Sequence, residues 1–163
     1  MRAARPEDVP LILGLIRALA LYERAPHEVV ATEAALHQHL FGNGIGRGPT
    51  AECLIGELNG VPRGFAVFCH NFSTWLAKPG IWLEDLFVEP EARGHHLGET
   101  LLRTLAKIAV DRGCGRMEWS VLDWNTPALG FYRSLGAKAL NEWTTHRVSG
   151  DALIALATPT HSA

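Results

Sequence analysis

An apolar run from Ile81 to Val88 stops at Glu89-Pro90 and passes through the turn Glu91-Ala92-Arg93-Gly94-His95-His96-Leu97. It gives way to residues 98–112, where Leu101, Leu102, Leu105 and Ile108 recur at helical spacing. A strand that feeds a turn and then a helix commits the chain to a sheet with a helix packed back over it. Backbone N–H groups at such a turn and at the helix start converge on one spot and suit an anionic pyrophosphate. Arg93 adds a positive charge beside them. Strand–turn–helix units with a glycine are common, so the turn by itself does not fix its ligand.

Upstream, Val9, Ile12, Leu15, Ile16, Leu19 and Tyr22 fall at three- and four-residue steps, which predicts a helix opened by Pro6, Glu7 and Asp8. Thr32, followed by Glu33, Leu36 and Leu40, predicts a second short helix with Thr32 as its N-cap. The glycines between Phe41 and Pro49 make that stretch the expected mobile loop. Residues 52–72 hold two apolar runs around Asn59-Gly60, a pair that tolerates positive φ, and this predicts an antiparallel hairpin.

Downstream, residues 116–122 read as a strand and 127–135 as a short helix ended by Gly136. Residues 137–148 and 152–157 read as a closing hairpin turned at Ser149-Gly150. Helices, antiparallel strands, then alternating strands and helices imply an α+β (α/β mixed-sheet) fold with helices on both faces. The length suits a single domain spanning residues 1–163.

A charged fraction of 20% with a formal net charge of −2 lacks the basic footprint of a nucleic-acid binder. The three cysteines, Cys53, Cys69 and Cys114, are odd in number and far apart, as in a cytoplasmic protein with reduced thiols. The apolar residues 11–21 are preceded by Glu7 and Asp8 and interrupted by Arg17, unlike a signal peptide, and no run reaches the length of a membrane span. Of the eight histidines, His37 and His39, and His95 and His96, lie close in sequence without a third ligand at metal spacing. They read as surface histidines, with no metal.

A second block, Asn125-Thr126-Pro127-Ala128-Leu129-Gly130-Phe131-Tyr132-Arg133-Ser134-Leu135-Gly136-Ala137, narrows the reading. With it, the chain resembles the GNAT acyltransferase superfamily. That family's acetyl-CoA motif, Arg/Gln-x-x-Gly-x-Gly/Ala, matches Arg93 to Gly98, with His96 in place of the middle glycine. Its later motif, Asn-x-x-Ala-x-x-x-Tyr-x-x-x-Gly-Ala, matches Asn125 to Ala137. Leu21-Tyr22-Glu23, Ser73-Thr74-Trp75, Leu83-Glu84-Asp85 and Leu122-Asp123-Trp124-Asn125 resemble the diamine and thialysine (spermidine/spermine-like) N-acetyltransferase branch. The likeness runs over residues 2–148.

The resemblance implies a GNAT-like, mostly antiparallel sheet splayed between its fourth and fifth strands, with acetyl-CoA as cosubstrate in the cleft. It implies cofactor contacts at Leu86, Phe87 and Val88, at the turn Arg93, Gly94, His95, His96, Leu97 and Gly98, and at Asn125 and Tyr132. It also implies Glu84 as the base-like group, the Val88 N–H as donor to the acetyl oxygen, and Tyr132 as general acid. The chemistry needs such groups. A protonated amine must lose a proton before attack, the tetrahedral intermediate gathers charge on oxygen, and a thiolate leaves. Tyr132 has a competing reading as a packed tyrosine on the apolar face of its helix.

The same likeness places Tyr22, Glu23, Trp75, Glu84 and Asp85 around a small primary amine, and aromatic walls with carboxylates suit an ammonium group. Packing explains Tyr22 and Trp75 equally well. The polyamine enzymes carry an acid where this chain has Ser73, which favours thialysine, lysine-like or short diamine acceptors over spermine. The resemblance further implies a homodimer. A side chain at His96 either loosens the phosphate site or adds a hydrogen bond to it. Two other readings stay open at this point: a non-catalytic acyl-CoA sensor, and an acetyltransferase of protein or peptide amines.

Overall fold

The computed structural model describes residues 1–44 and 48–158, and the chain divides into two compact units, Met1–Ser120 and Val121–Ala163. The first unit contains β1 (Arg2–Ala3), α1 (Val9–Tyr22), α2 (Glu33–Phe41), β2 (Glu52–Leu58), β3 (Val61–Ser73), β4 (Lys78–Val88), α3 (Leu97–Asp111) and β5 (Met117–Glu118). The five strands form one sheet in the order β1-β2-β3-β4-β5. All neighbours are antiparallel except β4 and β5, which α3 joins as a parallel pair. This is the α+β mixed sheet that the sequence implied. Residues 45–47, within the expected mobile loop, lie outside the described residues.

Strand alternation builds the two layers. On β2, Cys53 and Ile55 face a core with Ile12 and Leu15 of α1, Leu40 of α2, Phe65 of β3 and Phe87 of β4. Gly56 faces the other way, where a Cβ would lie 3.3 Å from the side chains of Leu97 and Leu101. Helices therefore cover both faces, α1 and α2 on one and α3 on the other. The buried stripe of α3 is Leu97, Leu101, Leu102, Leu105 and Ala109, with Ile108 only half-buried.

Local chemistry sets the ends of these elements. The Thr32 hydroxyl accepts the Ala35 N–H at 3.2 Å, which caps α2 as its spacing predicts. Asn59 and Gly60 take φ of 53° and 77°, as the β2–β3 turn requires.

The second unit contains α4 (Thr126–Ser134) and α5 (Gly150–Ala157). The Asn125 side chain caps α4 by accepting the Ala128 N–H at 3.3 Å. Gly136 follows with φ 89°, and its N–H donates to the Arg133 carbonyl. Two expectations are corrected. The strand over 116–122 shrinks to Met117–Glu118, and no closing hairpin forms. Residues 150–157 are helical because Asp151-Ala-Leu-Ile-Ala-Leu-Ala157 is rich in alanine and leucine, with Ser149 in extended conformation before it and an acid in the first turn. The apolar run that suggested a strand carries no β signal beyond a single isoleucine.

Candidate active site

The register between β3 and β4 breaks at one place. Val67 stands opposite Asp85, but its neighbour Phe68 stands opposite Leu83, so Glu84 is an extra residue without a cross-strand partner. Such a bulge undoes strict alternation locally. In a regular strand, consecutive Glu84 and Asp85 would point to opposite faces. Here Asp85 shares the face of Val67 and Phe65, and Trp82, opposite Cys69, lies on that face as well.

The electrostatics follow from this crowding. Burial first, then the charges of Glu84 and Glu23, push the Asp85 carboxyl up to about 6. Burial also raises Glu23, at the C-terminal end of α1. Burial, with the Glu84 charge second, raises the Cys69 thiol. The indole N–H of Trp82 donates to Glu84 Oε2 at 2.8 Å.

Beyond these carboxylates β4 has one open edge. Among the described residues β5 pairs only with Ile81 and Trp82, so from Leu83 onward β4 has a strand neighbour on the β3 side alone. That is the splay expected between the fourth and fifth strands. The Glu89 N–H donates across to the Arg63 carbonyl at 2.9 Å. By alternation, the Val88 N–H points to the open edge, and so does that of Leu86.

The turn that follows ends in an uncapped helix. The Thr100 N–H makes a helical bond to the His96 carbonyl, and the His96 side chain makes no cap bond, so the first-turn N–H groups around Leu97, Gly98 and Glu99 point outward unsatisfied. His96 sits in the left-handed region, φ 57°, a conformation that favours glycine. Its side chain is 82% exposed, with Nδ1 3.3 Å from Glu99 Oε2, and thus does not fill the space over those N–H groups. The donor set fits a pyrophosphate.

Arg93 points back instead of out. Its Nε donates to the Val88 carbonyl at 3.1 Å, and its guanidinium lies 4.8 Å from the Tyr22 ring centroid. The cofactor turn, the end of β4 and the end of α1 are tied together through this one side chain.

In the second unit, the motif residue Asn125 is buried as the α4 cap. Tyr132, one helical stretch on, is half-buried, with its ring centroid 5.2 Å from that of Phe131.

Residues 15–137 match the family model described as acetyltransferase (GNAT) family. This chain belongs to the GNAT acetyltransferase family. It is 36% identical to the thialysine N-epsilon-acetyltransferase of Bos taurus, with 96% of each chain covered. It is 34% identical to the L-ornithine N5-acetyltransferase NATA1 of Arabidopsis thaliana, covering 96% of this chain and 86% of that one. Among solved structures, an integron cassette protein from the mobile metagenome of V. cholerae superposes with a TM-score of 0.78 at 25% identity, covering 97% of this chain and 96% of that one. As a GNAT member, this acetyltransferase uses acetyl-CoA as cosubstrate.

The structure of the acetyltransferase brings Asp85 within range of the charges of Glu84 and Glu23, and joins Tyr22 to Arg93. Trp75 is 86% exposed in the turn between β3 and β4. Ser73 is buried, its Oγ accepting from Arg116 at 3.1 Å and from the Leu76 N–H at 3.2 Å, so it caps that turn. An aromatic residue that bonds one of the carboxylates is Trp82, to which the sequence reading gave no role. The signal was present, since Trp82 and Glu84 are two apart on one strand face. Among the described residues, no helix is long and apolar enough to cross a membrane.

Proposed function

We propose that this acetyltransferase passes the acetyl group of acetyl-CoA directly to a small primary amine bearing a second cation, with thialysine, lysine-like compounds or short diamines as acceptors, and that residues 1–163 act as one catalytic domain. The observation that carries the reading is the β4 bulge, which sets Glu84 beside Asp85, and Asp85 also lies in range of the Glu23 charge at the end of α1. Clustered carboxylates favour a doubly cationic acceptor over a lone alkylamine. Relatives named for thialysine and L-ornithine, both amino acids with a side-chain amine, support the same class.

Acetyl-CoA supplies an activated acyl group as its thioester. The N–H groups of the turn from Gly94 to Gly98 hold the pyrophosphate, and the open edge of β4 at Leu86, Phe87 and Val88 runs along the pantetheine arm. Glu84 takes a proton from the ammonium so that the amine can attack. The Val88 N–H donates to the acetyl oxygen as negative charge grows there. Tyr132 gives its phenolic proton to the departing sulfur, and Asn125 sets the helix that carries it.

We further propose a cytoplasmic homodimer. The exposed apolar side chains of α5 support the dimer, and the free thiols of Cys53, Cys69 and Cys114 support a reducing compartment.

The test compares kcat/KM for thialysine, lysine, a short diamine, spermine and a peptide amine in the wild type and in Glu84→Gln. The small doubly cationic acceptors should lead, and Glu84→Gln should lower kcat by roughly tenfold to ten-thousandfold, the range for losing a positioned base. A peptide amine as best acceptor would refute the substrate class. Unchanged rates in Glu84→Gln would refute the base.

A further inference from the structure

Glu84 is exposed, and a free glutamate on a surface samples many rotamers. A base must instead hold its oxygen within hydrogen-bond reach of the proton it takes. The bulge fixes the backbone of Glu84 but not its side chain. Trp82 supplies the missing constraint: its ring is half-buried on β4 opposite Cys69, and its Nε1–H lies 2.8 Å from Glu84 Oε2.

We propose that Trp82 is a positioning residue, whose indole N–H holds the Glu84 carboxylate in the orientation from which it accepts the acceptor's proton. The proposal rests on Glu84 being the base. An indole is a donor only, so it competes for no proton and cannot itself serve as acid or base near neutral pH. A carboxylate has about four lone-pair sites, so one bond at Oε2 leaves room to accept from an ammonium group. The arrangement also resists the neighbouring charge. Asp85 stands on the same face, and an unanchored Glu84 would swing away from it into water. The bond to Trp82 opposes that movement.

The experiment combines a double-mutant cycle with a direct view of the bond. Trp82→Phe keeps a ring and removes the donor. It should lower kcat for thialysine by roughly ten- to a hundredfold, as for the loss of one hydrogen bond to a charged group, while calorimetry gives an unchanged Kd for acetyl-CoA. In a Glu84→Gln background, Trp82→Phe should cause no further loss, because its effect passes through the carboxylate. In the 1H–15N spectrum of the otherwise native protein, the Trp82 indole resonance should move on Glu84→Gln.

Multiplicative losses in the double variant would overturn the proposal, since Trp82 would then act on packing or on the acceptor directly. An unmoved indole resonance would overturn it as well, even if Trp82→Phe failed to fold. If Glu84→Gln alone leaves kcat unchanged, the base assignment fails and the positioning role falls with it. A moved resonance in that case would still show that the hydrogen bond exists, which separates the two failures.

Discussion

At the scale of single residues, Asp85 is where the proposed amine binding and stability oppose each other. Burial, with the charges of Glu84 and Glu23, lifts its carboxyl from the ordinary 3.8 to about 6. The native state therefore holds the Asp85 proton more tightly than the unfolded chain does. The associated stability is fully present below about pH 4 and is lost as pH rises through about 6. At about 1.4 kcal/mol per pH unit, the loss amounts to about 3 kcal/mol at most. Asp85→Asn, which stays neutral, should match the wild type near pH 4 and exceed its stability at pH 8 by up to that amount. Urea unfolding at the two pH values measures the gap, and a gap that does not widen with pH would remove Asp85 as its source. The gain should come with weaker amine binding, the usual exchange where a site keeps unfavourable charge for its ligand.

At the scale of elements, the geometry of β4 depends on a glycine across from it. Gly64 pairs with Val88, and a Cβ there would lie 2.7 Å from the Phe87 carbonyl oxygen and 3.1 Å from Val88 Cγ2. Backbone cannot yield as a flexible side chain does, so Gly64→Ala should push the end of β4 away from β3 and cost about 1–3 kcal/mol. It should also cut kcat by more than amine KM changes, because the Val88 N–H, the proposed donor to the acetyl oxygen, would lose its aim. Thermal unfolding and steady-state kinetics check both effects. This dependence was invisible in the sequence, where Gly64 reads as one more glycine in an apolar run. Periodicity was enough for α1, α3 and the Asn59-Gly60 turn, because each is specified by residues within a few positions of one another. The bulge at Glu84 was not legible, because a register break is decided by pairing with a distant strand. Its consequence, two adjacent carboxylates sharing a face, was reached only through the resemblance of Leu83-Glu84-Asp85.

At the scale of the whole molecule, the reading of the sequence weakened past Ser120. There residues 152–157 read as a strand, since a short apolar run carries no clear period to set against that reading, despite its alanine and leucine content. In the helix that forms, Leu153, Ile154 and Leu156 are 53%, 67% and 73% exposed, and Leu140 and Val148 before it are exposed too. So much apolar surface within one short stretch is the candidate contact region of the proposed homodimer. The homodimer proposed above would supply a partner for it, the same stretch of a second copy related by a two-fold axis, so that each apolar side chain would meet its equivalent or a neighbour. Sedimentation velocity at micromolar concentration should then show a dimer. Ile154→Glu with Leu156→Glu should shift it to monomer by placing charges in the contact, with the helical content seen by circular dichroism retained, because both positions face solvent within the chain. A wild-type protein that sediments as a monomer, or a double variant that remains dimeric, would detach this stretch from assembly and leave its exposed surface to serve some other contact.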